Sequence, residues 1–158
     1  DLHSFPTRRS SDLGNSISEL LLILAARRAH LEQTILPYLA RGAWYISDRY
    51  RDATYAYQHY GRGIPAATIA ALEQASGTDR VPDLSLILGS SSATARDRLS
   101  GRGQSADRFE NENSDFHARV AAGYRARATA PHARWIDAEG DPDTVFARIR
   151  PHLEALLP

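Results

Sequence analysis

The spacing of apolar residues predicts a chain built mainly of helices. The first helix has apolar side chains recurring at helical intervals from Leu20 to Ile35, and it extends from Ser16 to about Ala40. Ser16 and Glu19 have the spacing of a capping box, Pro37 is expected to bend the last turns, and Gly42 to end them. Further helices are predicted over 48–58, 64–75, 92–99 and 109–129, and from Asp141 onward.

Three short apolar runs lie between these helices and predict strands. They are Ala43–Ser47, Leu84–Leu88 and Arg134–Ala138. Strands that alternate with helices are typical of α/β layer folds with a parallel sheet. Three strands make a thin sheet for so many helices, so the pattern indicates that part of the sheet is missing.

The stretch from Trp44 to Gln58 is the most informative part of the chain. Its apolar run ends on an acid–base pair, Asp48-Arg49, and a helix rich in aromatic residues follows. In α/β proteins, ligands bind outside the carboxyl ends of strands. A binding site is therefore expected here.

Composition narrows the class of partner. The 158 residues are 42% hydrophobic and 24% charged, with a formal net charge of zero and no cysteine. This balance argues against a general affinity for nucleic acid or membranes, and disulfides and thiolate metal sites are excluded. Neither a transmembrane stretch nor a signal peptide is apparent, so the cytoplasm is the expected compartment.

All 19 basic residues are arginine, and methionine is also absent. A phosphate-binding P-loop requires a lysine in G-x-x-x-x-G-K-[ST], so this chain contains none. Each arginine is, by itself, most simply a surface ion-pair former. Together they suit phosphate ligands, because the planar guanidinium matches phosphate oxygens in pairs. The arginines in question are Arg27, Arg49, Arg98, Arg102 and Arg108.

Several motifs, in order, resemble the thymidylate kinases, a family of P-loop nucleoside-monophosphate kinases. They are Leu20-Leu21-Leu22 to Ala25-Ala26-Arg27, Asp48-Arg49-Tyr50, Ala56-Tyr57-Gln58, Gly61-Arg62-Gly63, Pro82-Asp83-Leu84, and Arg98 to Phe116. The resemblance implies a three-layer parallel sheet with helices on both faces, here lacking the N-terminal P-loop strand. It also implies a lid over about 98–110 and a homodimer.

The resemblance also implies roles for single residues in the phosphorylation of thymidine monophosphate (dTMP) to dTDP by ATP, for dTTP synthesis. Arg49 would clamp the acceptor phosphate, and Asp48 would lie near Mg²⁺ and act through water. Arg27 would bond the thymine edge, Thr54 and Gln58 would contact base or sugar, and Tyr57 would pack under the deoxyribose. The catalytic lid residues would be Arg98, Arg102 and Arg108.

Some positions depart from the family pattern. Ile23 stands where an aromatic residue usually stacks on thymine, and Gly89 replaces the acid that usually ends its strand. Residues 1–13 resemble translated sequencing adapter, so 1–14 are expected to be a non-native leader or disordered tail, and 15–158 the C-terminal part of a kinase domain. This polypeptide alone is expected to lack kinase activity and to fold poorly. The alternatives are another nucleoside-monophosphate kinase, or a non-catalytic paralogue that acts as a nucleotide-binding or interaction module.

Overall fold

The computed structural model describes residues 16–91 and 114–157. The chain divides into two compact units, Asp1–Val81 and Pro82–Pro158, which are described separately. The expected leader over 1–14, the helix over 92–99 and the lid over 98–110 lie outside the described residues, as does the start of the helix predicted from Phe109.

The first unit is helical. It contains α1 (Ser16–His30), a π-helical segment (Leu31–Ile35), α2 (Leu36–Ala40), α3 (Arg51–Thr54), a second π-helical segment (Tyr55–Gly61) and α4 (Ala66–Ser76). Its core joins α1, α4 and the second π-helical segment through Leu20, Leu24, Tyr55, Ile64 and Ile69. Burial of these side chains is the main stabilising contribution in this unit.

The predicted helix from Ser16 to Ala40 is confirmed, and its irregularity lies close to Pro37. The proline has no N–H to donate and its ring crowds the carbonyl four residues earlier, which the wider turns of the π-helical segment over Leu31–Ile35 accommodate. Gly42 ends the helix with a φ of 72°. The Ala43 N–H donates to the Tyr38 carbonyl at 3.1 Å, which completes a Schellman motif.

The strand predicted over Ala43–Ser47 is wrong. A strand needs a hydrogen-bonded partner, and within the described ranges the only ladder joins two other segments. Ile46 is 87% exposed and Trp44 is 52% exposed, so neither side chain is buried as the apolar run implied.

The second unit contains β1 (Ser85–Gly89), α5 (Ser114–Arg127), β2 (Ala133–Asp137) and α6 (Pro142–Glu154). The two strands pair in parallel, from Ser85 opposite Ala133 to Gly89 opposite Asp137. The sequence prediction for both strands is confirmed with a shift of one residue. The start of α6 is confirmed too, since Asp141 caps it by accepting from the Thr144 N–H at 2.8 Å.

No helix in the described ranges is long and apolar enough to cross a membrane.

Candidate functional site

Arg27 on α1 is a buried arginine with several partners. Its side chain is 8% exposed, and Nη1 donates to Glu73 Oε1 at 3.0 Å. Nη2 donates to Thr54 Oγ1 and, at 3.5 Å, to the Tyr50 carbonyl. Burial lowers the pKa of Arg27, while the Glu73 carboxylate works against that shift. The sequence favoured surface ion pairs for the arginines; Arg27 does pair with an acid, but the pair is buried.

The acid that holds Arg27 was not found from the sequence. Glu73 on α4 is fully buried, and its carboxylate also accepts from Arg51 Nε at 2.8 Å and from the Tyr55 hydroxyl at 3.2 Å. Burial, followed by this nearby negative charge, raises the pKa of Tyr55. A signal was present, because Glu73 lies four residues after Ile69 and therefore on the same side of α4 as this apolar residue.

Arg49 follows the apolar run and has an unusual backbone conformation. Its φ is 61°, in the left-handed region that non-glycine residues seldom adopt, and the Ser47 hydroxyl donates to its carbonyl at 2.9 Å. The side chain is exposed, with the guanidinium carbon 5.3 Å from the centre of the Tyr57 ring. Strained backbone of this kind is concentrated at ligand-binding sites.

Thr54 and Gln58 are buried, and each contacts a side chain of α1. Thr54 accepts from Arg27, and Gln58 Nε2 donates to Glu19 Oε1 at 2.8 Å. Glu19 also forms an ion pair with Arg62 at 3.5 Å. The sequence had assigned Glu19 to a capping box, whereas its carboxylate contacts the second π-helical segment. π-helical turns within α-helices are frequent at functional sites.

The remaining predicted site residues are less defined. Asp48 is exposed and precedes Arg49. No group of three or more metal-binding side chains occurs in the part of the chain that the structure describes, so Asp48 belongs to no such group there. Arg98, Arg102 and Arg108 lie outside the described residues.

Several of the predicted site residues in the first unit are linked by contacts. Arg27 contacts Thr54 and lies 5.2 Å from the Tyr50 ring, and Arg49, the residue before Tyr50, lies over Tyr57. We call Arg27, Arg49, Thr54, Tyr57 and Gln58 the acceptor face. It combines a buried, fixed guanidinium with an exposed one, an arrangement suited to a ligand that has a polar ring at one end and an anionic group at the other.

Comparison with known proteins identifies the family. The family model described as thymidylate kinase matches residues 9–149. The chain belongs to the thymidylate kinase family. It is 56% identical over 142 residues to the thymidylate kinase of Dichelobacter nodosus, a match that covers 90% of this chain and 70% of that protein. It is 48% identical over 141 residues to the thymidylate kinase of Thiobacillus denitrificans, covering 88% of this chain and 69% of the other.

A solved structure gives the same result for the fold. The crystal structure of thymidylate kinase from Ehrlichia chaffeensis superposes with a TM-score of 0.66 at 28% identity, covering 88% of this chain and 67% of that one. The resemblance read from the motifs is therefore confirmed, and so is the α/β fold class of P-loop kinases. Thymidylate kinases are nucleoside-monophosphate kinases, so the predicted enzyme class is confirmed as well. The roles of individual residues stay predictions.

Proposed function

We propose that the acceptor face is the dTMP site of an enzyme that phosphorylates dTMP to dTDP with ATP. The observation that carries the proposal is that a chain of this family has one buried arginine, Arg27, and one exposed arginine, Arg49, in the acceptor face. Arg27 offers fixed donors to the keto oxygen of a pyrimidine. Arg49 offers an exposed guanidinium to a phosphate, and charge-assisted hydrogen bonds of this type are among the strongest.

The same proposal covers the binding of Mg²⁺ and of the second substrate, ATP. Mg²⁺ is commonly held by one or two carboxylates together with waters and substrate phosphates, so an exposed carboxylate such as Asp48 fits it. Mg²⁺ would neutralise phosphate charge. Arg98, Arg102 and Arg108 would do the same from the lid. The proposal also includes a homodimer and a cytoplasmic location.

The 158 residues contain no lysine, and therefore no P-loop lysine to hold ATP phosphates. A polypeptide made of these residues alone is thus expected to bind dTMP without phosphorylating it. Nucleotide binding, rather than turnover, is the appropriate assay for this polypeptide. A cooperative thermal unfolding transition, which would refute the expectation that it folds poorly, is its first control.

The experiment compares dTMP with thymidine, which has the same base and sugar but no phosphate. Isothermal titration of the 158-residue polypeptide should give tighter binding of dTMP, and Arg49→Gln should weaken dTMP by about 10- to 100-fold while leaving thymidine unchanged. Arg41→Gln is the matched control, because Arg41 is also exposed and lies 4.6 Å from a tyrosine ring, that of Tyr38. If Arg49→Gln and Arg41→Gln have the same effect, the assignment of Arg49 fails.

A further inference from the structure

Two hydrogen bonds connect one side of α1 with the helix that carries Thr54 and Gln58. Glu19, Ile23 and Arg27 are four residues apart, so they lie along one face of α1. Arg27 contacts Thr54 and Glu19 contacts Gln58, so the two helices run in opposite directions at this contact. Ile23 lies between the two bonded pairs, at the position where the family usually has an aromatic residue.

The carboxylate of Glu19 determines which way the Gln58 amide faces. An ionised carboxylate has only acceptor atoms, so Gln58 must present its NH₂ group to Glu19, as it does at 2.8 Å. The other carboxylate oxygen, Glu19 Oε2, forms an ion pair with Arg62 Nη2 at 3.5 Å, so both oxygens of Glu19 face donors. Gln58 is 3% exposed, so its amide cannot turn freely into solvent. Its Oε1 is therefore directed away from Glu19 and remains an acceptor.

Arg27 has the opposite polarity. A guanidinium carries donors and no acceptor, so any ligand atom that meets Arg27 must accept. The acceptor face thus offers the nucleotide base a hydrogen-bond donor from Arg27 and a hydrogen-bond acceptor from Gln58. A 4-keto pyrimidine has the matching pair, an accepting O4 and a donating N3–H. A 4-amino pyrimidine has the reverse, a donating N4 and an accepting N3.

We propose that Glu19 is a positioning residue for base selection. By accepting from Gln58 Nε2 it fixes Gln58 Oε1 toward the ligand, and this orientation makes the acceptor face favour thymine over cytosine nucleotides. The inference rests on the proposed function and adds a residue that acts through Gln58 without touching the nucleotide. A buried polar group left opposite the wrong base loses its hydrogen bond, which is why such an orientation discriminates strongly.

The test measures the ratio of the dissociation constants of dCMP and dTMP for the 158-residue polypeptide. Glu19→Gln keeps size and hydrogen bonding but lets either end of the Gln58 amide face residue 19, so the ratio should fall about tenfold. Glu32→Gln is the control, because Glu32 forms an exposed ion pair with Arg28 on the neighbouring turn. The double variant Glu19→Gln with Gln58→Glu should restore the ratio, since a carboxylate at 58 can only accept.

The possible results separate this inference from the proposed function. If the unmodified polypeptide does not bind dTMP, the proposed function fails and base selection fails with it. If it binds dTMP selectively and Glu19→Gln weakens both nucleotides equally, the proposed function stands and Glu19 is only structural.

An NMR measurement tests the orientation of Gln58 on the unmodified polypeptide, without any variant. Nuclear Overhauser effects from the Gln58 amide protons to the Glu19 methylene protons are expected, and their absence overturns the orientation.

Discussion

The buried carboxylate of Glu73 should contribute more to the stability of the first unit than any exposed acid. Three donors converge on it, from Arg27 at 3.0 Å, Arg51 at 2.8 Å and Tyr55 at 3.2 Å. The substitution Glu73→Gln keeps the shape of the side chain but replaces one oxygen by an NH₂ group. That group then faces either Arg27 or the pair Arg51 and Tyr55, each of which donates to Glu73 in the folded chain.

The magnitude follows from burial. Removing one partner of a buried ion pair costs about 3–5 kcal/mol, because the other charge is left without compensation. Glu73 is fully buried and the Arg27 side chain is 8% exposed, but the substituted amide keeps one accepting oxygen, so we expect a cost near the lower end, about 3 kcal/mol. For a chain of this length that corresponds to a melting temperature lower by roughly 6–12 °C.

The assay is urea unfolding followed by far-ultraviolet circular dichroism, with Glu32→Gln as control. Glu32 makes the same type of ion pair with Arg28, but the two side chains are 52% and 47% exposed, so its loss should cost no more than about 0.5 kcal/mol. Equal destabilisation by Glu73→Gln and Glu32→Gln would refute the reasoning from burial.

Three further predictions concern the first unit. Because Arg49 has a φ of 61°, Arg49→Gly should raise the free energy of unfolding by up to about 1 kcal/mol while abolishing dTMP binding; a loss of stability in urea unfolding would contradict this. Gly77→Ala and Gly63→Ala should lower the melting temperature by similar amounts, because both glycines have positive φ. An added Cβ at Gly63 meets nothing within 4 Å, and one at Gly77 meets the exposed end of Arg28, which can move aside; a much larger loss at Gly77 would count against this. Burial raises the pKa of Tyr50 in the folded protein above its ordinary value of 10.0. Tyr50 therefore loses its proton at a lower pH in the unfolded protein, and the free energy of unfolding should fall as the pH rises above about 10. Tyr50→Phe should flatten that fall, and unchanged pH profiles would exclude the effect.

The sequence predicted the regular elements well where local pattern decides them. The helix from Ser16 to Ala40, its end at Gly42 and the parallel strands of the second unit all follow from periodicity and turn residues. Ala43–Ser47 has the composition of a strand, but strand formation depends on a partner, and pairing is not a local property.

The motifs name the residues of the acceptor face, Arg27, Arg49, Thr54, Tyr57 and Gln58, and their binding roles stay predictions. The contacts that support two of them were not predicted. Glu73 accepts from Arg27 and Glu19 accepts from Gln58, across 46 and 39 residues of sequence, and spacing along one helix does not predict such contacts. The apolar surroundings of Glu73 were the available sign of a buried, partnered acid.

The central claim is that the first unit binds dTMP with its phosphate at Arg49 and its base at Arg27. A crystal structure of the 158-residue polypeptide with dTMP tests this most directly. The account predicts phosphate oxygens about 2.7–2.9 Å from the Arg49 guanidinium, thymine O4 accepting from Arg27, and the sugar against Tyr57. A nucleotide bound elsewhere, or bound with its phosphate away from Arg49, would contradict it.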